Sequence, residues 1–130
     1  MKEKIVFSFE KLKVYQKSRE LNLKIFKLSE TFPKSSGLTL KQQLNRSSIS
    51  ICANIAEGTG RKRGKDQGQF YKIAFSSLLE TLNHLMIATD YEYLNVNVLE
   101  DEFKPMIHEI HIQLSALYKY SMNSTDAIPK

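Results

Sequence analysis

The stretch QLNRSSISICANIAEG, residues 43–58, decides the fold because it has apolar side chains on two opposite sides. At about 100° per residue, the periodicity of a helix, one face gathers Leu44, Ser48, Ile51 and Ile55. The other face gathers Ile49, Cys52, Ala53 and Ala56. A helix at the surface of a single core needs only one such face. The stretch therefore predicts a helix that packs against neighbours on two sides.

Outward from this stretch, the apolar periodicity predicts four long helices, at about 10–31, 38–58, 66–91 and 98–122. Phe32-Pro33 ends the first, because a proline disfavours helical geometry in the residue before it. Gly58 is expected to close the second as a left-handed cap. Pro105 either kinks the fourth helix or marks a later start for it. Short links between long helices favour an all-α, up-down-up-down antiparallel four-helix bundle.

The bundle is expected over residues 10–122, between an N-terminal arm at 1–9 and a flexible C-terminal tail at 123–130. Cys52 is the single cysteine, so an internal disulfide is excluded. No apolar run is long enough for a signal-peptide core or a membrane span. These features predict a cytoplasmic protein with no membrane partner.

The third predicted helix repeats the two-sided pattern of the second. Across from its core face lie Phe75, Leu79, Leu82 and Met86. A monomeric bundle has one core and leaves this second set in water, which costs about 1.5–3 kcal/mol for each large side chain. We therefore expect an oligomer whose interface includes Ile49, Ala53, Phe75, Leu79, Leu82 and Met86. A bundle with imperfect stripes and some exposed Leu and Phe is the alternative.

A narrow polar strip separates the two apolar sides and includes Arg46, Asn54, Glu57 and Glu80. Polar groups between apolar surfaces need hydrogen-bonded partners, so Arg46 is expected to pair with Glu57 or Glu80. Two neighbouring carboxylates also suit general acid–base catalysis or metal binding. No nucleophile–histidine arrangement and no metal-ligand spacing completes such a site, which favours a structural network. We predict no catalytic residue, no metal and no cofactor, and we identify no small-molecule substrate.

The 130 residues carry a formal net charge of +5, and this charge is unevenly distributed. Residues 1–65 hold 15 basic and 5 acidic side chains, a net of +10, while residues 66–130 hold 4 basic and 9 acidic ones, a net of −5. Such asymmetry indicates an electropositive surface that attracts polyanions or the acidic face of a second copy. A solvated surface of its own sign on each half is the alternative.

Two groups of basic residues are candidates for phosphate contacts without sequence readout. They are a stripe on the first helix, Lys13, Lys17, Lys24 and Lys27, and a loop cluster, Arg61, Lys62, Arg63 and Lys65. The loop is not a P-loop, because Thr59 replaces a required glycine and Asp66 replaces the Ser or Thr that follows the lysine. Aromatic residues do not interleave with the stripe, so binding is expected to follow charge and shape.

Residues 43–58 also resemble the signature of a family of bacterial four-helix-bundle proteins. These are the products of open reading frames in the intervening sequences of 23S ribosomal RNA genes. Further matches are Phe32-Pro33, Gly37-Leu38-Thr39 and Ser77-Leu-Leu-Glu80-Thr81, and the resemblance covers about residues 9–120. Ser47 and Cys52 stand where many relatives have Ala and Pro, and these departures affect packing and not the fold.

The resemblance implies a ring-like homopentamer with no established enzymatic activity, in which Arg46, Asn54, Glu57 and Glu80 serve assembly. It also extends to the accessory bundle proteins of diversity-generating retroelements, where a basic pentamer engages nucleic acid and a reverse transcriptase. We therefore expect a non-enzymatic homo-oligomer that binds RNA or a ribonucleoprotein through its basic surface. A structural or protein-adaptor oligomer with no nucleic-acid role is the alternative.

Overall fold

The computed structural model describes residues 2–123, and this part of the chain is all-α with no strand. A 3-10 turn at Ser8–Lys11 precedes the helices, and a π-helical turn at Leu99–Phe103 precedes the last of them. In chain order the helices are α1 (Lys13–Ser29), α2 (Leu38–Thr59), α3 (Lys65–Asp90), α4 (Val96–Val98) and α5 (Lys104–Met122). The predicted four-helix bundle is confirmed, with α4, the π turn and α5 together forming its fourth member.

The first helix begins at Lys13, later than predicted, because the backbone at Leu12 is extended, with φ −72° and ψ 126°. The preceding residues form the 3-10 turn, where the Glu10 carboxylate accepts a hydrogen bond from the Phe7 backbone N–H at 2.8 Å. Residues 2–7 of the predicted arm have no regular secondary structure. The predicted tail lies outside the described residues except for Asn123.

Gly58 does not cap α2, and the prediction of a left-handed turn there is wrong. The helix continues through Thr59 to Gly60, whose φ of −83° is right-handed. Gly58 is buried, and a Cβ at this position would lie 2.7 Å from Cε1 of Tyr71 on α3. The glycine is therefore needed because α2 and α3 approach closely at this point.

Pro105 is accommodated by a widened turn, which neither of the two predicted alternatives included. The π-helical turn at Leu99–Phe103 leads directly into α5, and Pro105 is the second residue of that helix. A proline lacks the backbone N–H that a helix interior needs. The Lys104 N–H bonds to the Leu99 carbonyl five residues back, so Pro105 lies where the hydrogen-bond spacing changes from π to α. The fourth member of the bundle therefore begins early and tolerates the proline.

One hydrophobic core fills the space between the four long members of the bundle. Its fully buried side chains include Leu21, Ile25, Leu44, Ile51, Ile55, Leu78, Leu85, Ile110 and Leu114. Buried hydroxyls join α2 to α3 within this core: the oxygens of Ser47 and Thr81 lie 2.8 Å apart, and Thr81 also donates to the Ser77 carbonyl at 2.8 Å. Burial of these polar groups is thereby compensated.

The antiparallel order brings the start of α1, the end of α2, the start of α3 and the end of α5 to one end of the bundle. At this end Arg63 donates hydrogen bonds to the Tyr120 carbonyl at 3.1 and 3.2 Å. At the other end the rings of Phe32 and Tyr93 pack with their centroids 5.2 Å apart. The loop between α2 and α3 therefore shares an end with the N-terminal turn and the last turns of α5.

Candidate nucleic-acid interface

Positive charge collects at the end of the bundle where α1 begins and α5 ends. We call this the basic end and define it as residues 8–19, 53–72 and 116–123, which hold ten basic and three acidic side chains. The basic residues are Lys11, Lys13, Lys17, Arg19, Arg61, Lys62, Arg63, Lys65, Lys72 and Lys119, and the acidic ones are Glu10, Glu57 and Asp66. The opposite end, residues 24–44 and 84–104, holds five basic and six acidic side chains. The basic end therefore carries a net charge of +7 and the opposite end a net charge of −1.

The two arginines of the predicted loop cluster are held in place by aromatic rings. The Arg61 guanidinium lies 4.8 Å from the centroid of the Phe70 ring and 2.8 Å from the Glu57 carboxylate. Arg63 lies 4.2 Å from the ring centroid of Tyr120, whose carbonyl it also binds. Arginine stacks on aromatic faces in this way while keeping its charge. These contacts give the loop a defined shape at the basic end.

The lysines of the loop are free of such contacts. Lys62 and Lys65 are exposed, and neither forms an ion pair within residues 2–123. Lys72 on α3 and Lys119 on α5 are also exposed and unpaired within that range. Lys72 and Lys119 were not predicted as phosphate contacts, because each is isolated from other basic residues in the sequence and only the folded bundle brings it beside the loop. The four lysines are available to an external anion.

The predicted lysine stripe on α1 does not act as one surface. Lys17 lies 3.6 Å from the Glu109 carboxylate and Lys24 lies 2.6 Å from that of Glu102, so both lysines tie α1 to the fourth member of the bundle. Lys13 and Lys27 are exposed, but 14 residues of helix, about 21 Å, separate them. The structure therefore places Lys13 and Lys17 with the loop cluster at the basic end, and Lys24 and Lys27 at the opposite end.

The predicted polar strip forms a network along the seam between α2 and α3. Arg46 makes an ion pair with Glu80 and donates to the Gln43 side-chain oxygen at 3.0 and 3.1 Å. The Glu80 carboxylate also lies 3.2 Å from Nε2 of His84. Of the two predicted partners of Arg46, the structure selects Glu80, while Glu57 pairs with the loop. Gln43 and His84 were missed, although their spacings of three and four residues along a helix were readable signals.

Toward the basic end the same seam continues through small hydroxyl and amide side chains. Asn54 donates to the Ser50 carbonyl at 2.8 Å, and the hydroxyls of Ser50 and Ser77 lie 2.8 Å apart.

Within residues 2–123, no group of three or more His, Cys, Asp or Glu side chains is placed to hold a metal ion. Burial raises the pKa of the Cys52 thiol from an ordinary 9.0 to about 11, which keeps it protonated and a poor nucleophile at neutral pH.

Two apolar patches flank the seam. Beside α2 lie Leu23 and Phe26 of α1 together with Ile49, each more than half exposed. On α3 lie Leu79 and Met86, which are 48% and 46% exposed. Leu23 and Phe26 were not predicted as interface residues, because the regular apolar stripe of α1 accounts for its core face and does not include them. Both sides of the seam therefore present large apolar side chains to solvent in a single chain.

The other residues predicted for the interface are distributed between surface and core. Ala53 is exposed on α2, beside Ile49. Phe75 and Leu82 are half-buried and pack against the core of the bundle itself. The ring of Phe75 also packs against that of His111 at a tilt of 49°, with 4.7 Å between centroids. Only part of the second apolar set on α3 is therefore left in water.

Comparison with known proteins identifies the family to which the chain belongs and a solved structure that it resembles. The family described as 23S rRNA-intervening sequence protein matches residues 10–116. The chain belongs to the 23S rRNA-intervening sequence protein family. A solved structure of a protein with unknown function, from the S23 ribosomal protein family of Bacteroides thetaiotaomicron, is 26% identical with a TM-score of 0.75. The similarity covers 82% of this chain and 95% of that one. Among curated proteins no match is found.

Membership of the 23S rRNA-intervening sequence family confirms the resemblance first carried by residues 43–58. The matched region contains the whole α2–α3 seam, both apolar patches and the basic loop. The related structure has no assigned function, and no enzymatic activity is indicated by either similarity. No helix within residues 2–123 combines the length and hydropathy that crossing a membrane requires.

Proposed function

We propose that this 23S rRNA-intervening sequence family member is a non-enzymatic homo-oligomer that binds RNA, or a ribonucleoprotein, through its basic end. The observation that carries the proposal is the gathering of ten basic side chains there, against three acidic ones in the same ranges and Glu109, which pairs with Lys17. Contacts from lysine and arginine to phosphates supply most of the affinity for nucleic acid and require no base readout. Lys62 and Lys65, which are exposed and form no ion pair with any residue from 2 to 123, suit such contacts, as does the ordered arginine loop.

Self-association is supported by the two apolar patches on either side of the polar seam. The patch formed by Leu23, Phe26 and Ile49 differs from the patch formed by Leu79 and Met86, so a contact between them joins unlike surfaces. Contacts of this kind close into a ring when the rotation from one copy to the next divides a full turn evenly, and otherwise form an open filament. Five copies is the number that the family resemblance implies. A ring with parallel bundle axes gathers all the basic ends on one face, which strengthens the field felt by a polyanion.

Light scattering tests the assembly. We expect a mass about five times 15.0 kDa for the wild type, and dissociation of the oligomer by Leu79→Lys, because a buried unpaired ammonium is costly. Asn97→Lys is the matched control, since it adds the same charge at an exposed polar position that belongs to neither patch. A wild type that is monomeric at micromolar concentration would contradict this part of the proposal.

RNA binding is tested by titrating the oligomer with a structured RNA at 50 and 200 mM salt. If about six phosphates are contacted, the affinity falls by about a thousandfold over this range because counterions are released on binding. Substitution of Arg61, Lys62 and Arg63 by Ala should weaken binding at both salt concentrations. Absence of binding at 50 mM salt, or binding that does not depend on salt, would contradict the proposed RNA binding.

A protein-adaptor oligomer without RNA is the second candidate. It is favoured by one observation, the apolar segment of the N-terminal arm, where Ile5 is 85% and Phe7 is 64% exposed. Such a segment suits a protein partner and not a polyanion. An oligomer that shows the expected mass but no RNA binding at 50 mM salt would favour this candidate.

A further inference from the structure

An apolar groove opens between α3 and α5 at the basic end. It encloses about 340 Å³ and is lined by Tyr71, Lys72, Phe75, Ser115, Tyr118 and Lys119. An adjoining hollow of about 210 Å³ shares Lys72 and Tyr118 and continues to Lys65 and Gln69. Among the described residues 2–123, no acidic residue lines either hollow. The groove therefore combines aromatic walls with a rim of lysines that form no ion pair within this part of the chain.

The walls of the groove are fixed by contacts with the rest of the bundle. The hydroxyl of Tyr71 lies 3.2 Å from that of Thr59, and its ring is buried against Gly58. The ring of Phe75 packs at a tilt of 49° against that of His111 on α5, with 4.7 Å between centroids. Tyr71 is only 2% exposed and forms the floor of the groove, whereas Phe75 and Tyr118 are partly exposed and offer ring faces on which a flat ring can stack with little loss of side-chain freedom. The shape of the groove thus exists before any ligand arrives.

We propose that the groove takes one unstacked base of a single-stranded RNA segment, while Lys65, Lys72 and Lys119 contact the neighbouring phosphates. This inference rests on the proposed RNA-binding function and names the kind of RNA and the residues that receive it. Aromatic side chains stack on any base, because every base has a π face, and single-stranded RNA offers bases that are already splayed out. The apolar lining offers few polar groups for reading base edges, so the site accepts different bases.

Sequence analysis did not anticipate this site. The aromatic residues do not alternate with lysines along any one helix, and the lysine stripe on α1 has none beside it. The groove brings Tyr71 and Phe75 of α3 against Tyr118 of α5, which are more than 40 residues away in sequence. The aromatic platform is therefore a product of tertiary packing.

The test compares a 12-residue oligouridylate with an abasic phosphodiester oligomer of the same length and charge, using fluorescence anisotropy on the full chain. We expect the wild type to bind the base-bearing oligomer about 5- to 150-fold more tightly, the range that stacking of one base provides. Tyr118→Leu removes an aromatic wall, and Ser115→Leu fills the groove while all lysines remain. Both variants should lose the preference and keep the affinity for the abasic oligomer.

Lys62→Ala is the matched control, because Lys62 lies at the basic end outside the groove. This substitution should lower the affinity for both oligomers by the same factor. Circular dichroism establishes that each variant retains its helicity. Equal wild-type affinity for the two oligomers would overturn the groove assignment and leave the proposed RNA role standing. Absence of binding to either oligomer and to structured RNA would overturn both. A preference that survives in Tyr118→Leu and in Ser115→Leu would show that the base is held elsewhere.

Discussion

At the residue scale, the presence of a glycine at position 58 has two possible explanations in the sequence and one in the structure. A glycine near the end of a predicted helix suggests a left-handed cap, yet Gly58 is helical and faces Tyr71. The sequence pattern contained the glycine but not the distance to α3. Close approach of two helices depends on how they pack, and packing is not visible in the periodicity of either one.

Gly58→Ala should destabilise the fold by about 1–3 kcal/mol, because the added methyl group overpacks the contact between α2 and Tyr71. Urea unfolding followed by circular dichroism measures the change. The control is Gly60→Ala, where the new Cβ meets only the Glu57 carbonyl at 3.6 Å in a right-handed backbone. We expect the control to be neutral or slightly stabilising. Equal effects of the two substitutions would contradict the packing role of Gly58.

At the scale of elements, the contact between α2 and α3 is the centre of the structure. The two-sided pattern of residues 43–58 correctly placed Leu44, Ile51 and Ile55 in the core and Ile49 outside it. The pairing of Ser47 with Thr81 was not predicted, and Glu57 and Glu80 were both left open as partners of Arg46, because the relative register of two helices is set by the whole core. A sequence shows which face a residue occupies and leaves its partner on the next helix undecided.

The buried hydroxyl pair between these helices can be measured by a double-mutant cycle. Ser47→Ala and Thr81→Val should each lower the free energy of unfolding by about 0.5–1.5 kcal/mol, the net value of a buried hydrogen bond. The double variant should lose less than the sum of the two, because both singles break the same contact. Ser76→Ala, at an exposed position on α3, is the control and should change little. Strict additivity would show that the two hydroxyls do not interact.

At the scale of the whole molecule, the fold adds to the charge asymmetry of the sequence by gathering basic residues at one end of the bundle. Division of the sequence at residue 65 found the asymmetry but not this gathering, because an antiparallel bundle returns Lys119 to the side of Lys62. The same folding separates Lys27 from Lys13 and divides the predicted stripe. The helices, their order and the core were thus predictable, whereas the surfaces formed by several helices required the structure.

The salt dependence of RNA binding by two matched variants tests the central claim most directly. Lys62→Ala with Lys65→Ala removes two charges from the basic end, and Lys27→Ala with Lys34→Ala removes two from the opposite end, so net charge is equal. The account predicts that the first pair reduces the slope of log affinity against log salt by about one per lysine, and that the second leaves it unchanged. Equal slopes for the two variants would contradict RNA binding through the basic end.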